Sequence, residues 1–85
     1  MSITNSQFAV TAVAQQLFAA NADRLSYCII NNGAISVFIG IDSNLTIVNG
    51  SEIPAGAART VNSDSSVVWI IAASGVTISL AQQFR

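Results

Sequence analysis

An 85-residue chain of 8.8 kDa allows a single domain, and 52% hydrophobic against 8% charged residues sets it apart from disordered sequences. Three basic and four acidic residues give a net charge of -1, too few cations and too scattered for a surface that tracks nucleic-acid phosphates. The sequence has no His and one Cys, which excludes His-based acid–base chemistry, Cys/His metal sites and an intramolecular disulfide.

In chain order, residues 1–6 form a polar leader, expected as a flexible N-terminal arm of a domain spanning 1–85. Gln7 to Val13 alternates, with Phe8, Val10 and Ala12 on one face, and Gln15 to Ala19 gives a short second strand around Leu17 and Phe18. Ala14 to Ala22 also has good helix formers, but no apolar stripe at helical spacing. Leu25, Tyr27 and Ile29 then alternate with Ser26, Cys28 and Ile30. Asn31-Asn32-Gly33 follows, and Ala34 to Ile41 alternates again. Asn-Gly between two alternating runs predicts a β-hairpin.

Asp42-Ser43-Asn44 is a turn-forming loop leading to the apolar stretch Leu45 to Val48 and then Asn49-Gly50. Ser51 to Ile53 and Ala58 to Val61 read as brief strands around Pro54-Ala55-Gly56, and Asn62 to Ser66 as a polar turn. Val67 to Ala73 and Val76 to Gln82 predict a second tight hairpin around Ser74-Gly75. Seven or eight short strands with regular turns predict an all-β fold, a small antiparallel β-sandwich or jelly-roll-like barrel.

Both faces of Val67 to Ala73 are apolar, with Val67, Trp69 and Ile71 on one and Val68 and Ile70 on the other. One face belongs to the core and the other needs cover, for which a second copy of the chain is the economical candidate. Val68 and Ile70 are therefore expected at an interface, and the sparse charge supports a homo-oligomer. The longest run of hydrophobic-class residues, Val67 to Ala73, is far too short for a membrane helix, and no basic, apolar secretory leader is visible. The expected partners thus include neither membrane nor nucleic acid.

Few side chains offer chemistry. Asp42-Ser43-Asn44-Leu45-Thr46 places oxygens at alternate positions, but Ile47 and Ile53 stand where a calcium loop needs Gly and Glu. Asp42, Glu52 and Asp64 lie in separate segments with no basic neighbour, and Cys28 has no His to activate it. No catalytic residue, metal or cofactor is expected. Trp69, Tyr27 or Phe38 could stack a sugar, which gives the alternative of a carbohydrate-binding module. Arg24 could pair at the surface or reach a partner's carboxylate.

Leu17-Phe18-Ala19-Ala20-Asn21-Ala22-Asp23-Arg24, then Ile29-Ile30-Asn31-Asn32-Gly33 and Val37-Phe38-Ile39-Gly40, resemble the small all-β virion proteins of tailed bacteriophages. Asn49-Gly50, Ile53-Pro54-Ala55-Gly56 and Val68-Trp69-Ile70-Ile71-Ala72-Ala73-Ser74-Gly75 continue the pattern in order, so the resemblance covers about residues 8–81. Two departures are Ala22, where such sequences often carry Pro, and the lack of a second basic residue after Arg24. The resemblance implies a capsid decoration (cement) protein or the base of a head fibre. Such a protein is made in the host cytoplasm, acts as a homotrimer and binds the major capsid protein on the virion surface. A neck, tail or baseplate protein is the alternative within the virion. Val68, Ile70, Arg24 and Phe38 are the candidate oligomer and capsid contacts, and no catalytic residues come with the likeness.

Overall fold

The computed structural model describes residues 2–62 and 66–85, without the Ser2 side chain. Eight strands build it: β1 (Ser2–Val10), β2 (Gln15–Phe18), β3 (Arg24–Asn31), β4 (Val37–Gly40), β5 (Ser51–Ile53), β6 (Ala58–Asn62), β7 (Val68–Ala72) and β8 (Val76–Phe84). No helix occurs among the described residues, so the stretch from Ala14 to Ala22 resolves as strand and loop. Two four-stranded sheets, ordered β1-β8-β3-β6 and β2-β7-β4-β5, face each other, and every pairing is antiparallel.

The pairings have a simple rule. β1 pairs with β8, β2 with β7, β3 with β6 and β4 with β5. The chain is thus one long hairpin, turning at residues 41–50 and rolled so that β3 meets β8 and β4 meets β7. That is the connectivity of a jelly roll, and the expected all-β sandwich is the observed fold.

Neither predicted hairpin forms. β3 and β4 lie in different sheets, and so do β7 and β8. The Asn-Gly and Ser-Gly turns carry the chain across the sandwich rather than back along the same sheet. The physical reason is occupancy: β3 sits between β8 and β6, and β7 between β2 and β4, so neither has a free edge for its successor. The supposed alternation through Ala34 and Ile35 is part of the crossing, and regular strand resumes only at Val37.

The polar leader is also strand rather than arm, since residues 2–6 pair with Phe84 back to Leu80. β1 and β8 reach nine residues each, longer than the runs Gln7 to Val13 and Val76 to Gln82 read from the sequence. Most of the Asn62 to Ser66 turn lies outside the described residues.

Between the sheets, Val10, Phe18, Tyr27, Ile29, Val37, Ile53, Val68, Ile70, Ala72, Ile78 and Leu80 form one buried cluster. Residues paired in register share a face. Val37 with Ile53 and Ala72, and Ile29 with Leu80, therefore meet as facing layers of the core.

Candidate functional surface

Two buried polar residues sit at the ends of β3 and fix the crossovers around the core. Asn31 is 0% exposed. Its side-chain amide donates to the carbonyls of Ile35 (2.8 Å) and Ile53 (3.1 Å), and its side-chain oxygen accepts from the Gly33 N–H (3.0 Å). Its backbone N–H donates to Ala57, and its carbonyl accepts from Gly56. One residue thereby ties the β3–β4 crossing to the β5–β6 crossing.

Arg24 does the equivalent at the other end. It is 3% exposed. Its guanidinium donates to the carbonyls of Ala19 (3.1 Å) and Ser66, and lies 5.1 Å from the Phe18 ring centroid and 5.5 Å from that of Tyr27. A planar fork that bonds two carbonyls while stacking on rings is a geometry Lys cannot supply. The expectation that Arg24 reaches a partner is overturned, because the group is spent inside the fold. The sequence gives no periodic signal for such a role, since it depends on two loops meeting far apart in the chain.

Val68 and Ile70 are likewise misplaced as interface residues. They are 4% and 0% exposed within one copy and belong to the core. The alternation of β7 was legible, but its direction is the reverse: Trp69 and Ile71 face outward. Tyr27 is core as well, packed at 5.1 Å on Phe18, so it offers no sugar platform. Cys28 is half-buried, on the outer face of its sheet.

What remains outward on the β2-β7-β4-β5 sheet is apolar at its centre. Phe38 stands between Ile71 and Glu52 in register, and Trp69 between Gly40 and Gln16. Phe38 and Trp69 are half-buried, and Ile71 is 8% exposed. The 41–50 loop adds to this end of the molecule. Leu45 folds back over Gly40 and Gly50: a Cβ on Gly40 would stand 2.7 Å from its Cδ1, the movable end of that side chain, whereas one on Gly50 would also stand 2.7 Å from Phe38 Cβ, so Gly50 is the position that a larger residue strains. Around it, Asp42 caps the Asn44 N–H, and Thr46 and Asn49 bond each other's backbone. The loop holds Ile41, Ile47 and Val48 in solvent.

No group of acidic or thiol side chains among the described residues could hold a metal. The Asp42 carboxylate accepts from a backbone N–H and that of Glu52 from the Ser36 hydroxyl (2.7 Å). Asp64 lies outside the described residues.

A search with the sequence finds no matching protein-family model and no curated relative. The fold has solved neighbours. The stem and receptor-binding domain of spike protein P1 from bacteriophage PM2 superposes with a TM-score of 0.69 at 19% identity, over 87% of this chain and 30% of that one. A disulfide-linked pilus, the endospore appendage of Bacillus, superposes with a TM-score of 0.53 at 18% identity, over 98% of this chain and 84% of that one. At such identities the likeness is one of fold.

Proposed function

We propose that this chain is a non-enzymatic structural component of a bacteriophage virion. In the finer reading it is a capsid decoration protein that assembles as a homotrimer and binds the major capsid protein. The observation that carries the reading is the outer face of the β2-β7-β4-β5 sheet, where Phe38, Trp69 and Ile71 form an apolar centre on a chain with only seven charged residues. A sparse-charge face with aromatic anchors has the composition of a protein–protein interface core. Binding several capsid subunits at once would multiply modest contacts through avidity. The resemblance along residues 8–81 points to the virion, and the fold shared with a phage spike domain agrees with it.

Two experiments test it. Gold-labelled antibody should decorate the heads of purified particles; label confined to tails would move the protein to the neck or baseplate. Trp69→Ser with Phe38→Ser should keep the fold, because both side chains lie outside the core, and should reduce head binding about tenfold or more. Unchanged binding would exclude this face. Glycan binding that disappears with Trp69→Ala alone would favour the carbohydrate-binding module instead.

A further inference from the structure

We infer that β1 is a strand-addition edge, and that its occupant is β1 of a second copy, paired antiparallel about a twofold axis. This does not depend on where the protein acts. A sandwich has four edge strands, each with a row of unpaired N–H and C=O groups, and soluble proteins normally blunt such edges. Three edges here are blunted. β2 has four residues and a bulge between Gln16 and Phe18. β5 has three residues and stops at Pro54. β6 has five residues and carries Arg59, whose guanidinium donates to Ser51 and to the Glu52 carbonyl.

β1 has none of these devices. It runs nine residues, pairs with β8 in nine consecutive registers without a bulge, and contains no charge and no proline. A long, regular, uncharged edge is a template for another strand.

The same chain supplies the matching strand. A twofold axis makes any strand antiparallel to its own copy, and a pair centred on Ser6 sets Asn5 opposite Gln7 and Ile3 opposite Ala9. No like charges oppose one another, since the segment has none. Ile3, 64% exposed in one copy, gains cover from Ala9 on the same face. The β2, β5 and β6 edges offer at most five residues against nine.

Amide hydrogen exchange and sedimentation test this together. In β1, alternate N–H groups bond β8 and the others face the open edge. The open-edge set should slow by about tenfold or more between dilute and concentrated protein, while the β8-bonded set is protected throughout. Asn5→Lys with Gln7→Lys opposes like charges across the pair, and should weaken association about tenfold with the circular dichroism spectrum unchanged. Asn5→Lys with Gln7→Glu opposes unlike charges at the same two sites and should restore it. Open-edge amides that exchange freely at every concentration would overturn the inference. So would equal behaviour of the two charge variants, or slowing that requires a different protein.

Discussion

Asn31 and Arg24 show how much of this fold rests on two polar side chains. Every buried side-chain nitrogen and oxygen among the described residues has a hydrogen-bond partner, and unsatisfied ones would be costly. Asn31→Leu removes three side-chain hydrogen bonds and leaves two carbonyls and one N–H without that partner. The expected loss is about 2–4 kcal/mol in urea unfolding. Arg24→Lys keeps the charge but not the fork, and should cost about 1–2 kcal/mol in the same measurement. A shift near zero for Arg24→Lys would mean that the guanidinium geometry is unimportant. Neither role was legible in the sequence. Asn31 reads as a turn former and Arg24 as a surface charge, because one of the two carbonyls that each side chain bonds, Ile53 for Asn31 and Ser66 for Arg24, comes from a segment distant in the chain.

Among the elements, strand positions were legible where apolar and polar residues alternate, as at the start of β3, and where a short apolar run is bounded by turn residues, as in β7. Pairing was not. Turn chemistry at Gly33 and Gly75 says that the chain changes direction there, but a hairpin and a sheet-to-sheet crossing begin with the same residues. What distinguishes them is whether the neighbouring edge is free, a property of the whole sandwich. Gly33 tests the crossing directly. A Cβ there would stand 1.8 Å from Val76 Cγ2, a contact between the β3–β4 crossing and the start of β8. Gly33→Ala should destabilise the protein by about 1–3 kcal/mol, the usual cost of overpacking. Gly33→Ala with Val76→Ala should recover part of that loss. A strictly additive double mutant would show that the two residues do not touch.

At the scale of the molecule, a rolled hairpin places its first and last strands side by side and its turn at one end. Six of the seven connections between strands cross from sheet to sheet, so most pairing is non-local. Such topologies fold slowly, and refolding in milliseconds to seconds is expected by stopped-flow Trp69 fluorescence. The surface that results is poor in charge and open at β1, with aromatic side chains on the outer face of the second sheet. The composition already pointed to an assembly component. The side chains first named for that role, Val68 and Ile70, turned out to be core, so the case now rests on Phe38, Trp69 and β1. The mass of the purified protein across micromolar concentrations, measured by sedimentation equilibrium, tests that case most directly. A discrete species of several chains is the predicted result: two where only the β1 pair forms, three where only the trimer of the decoration-protein reading forms, and six where both do. A particle of one chain at every concentration would contradict it.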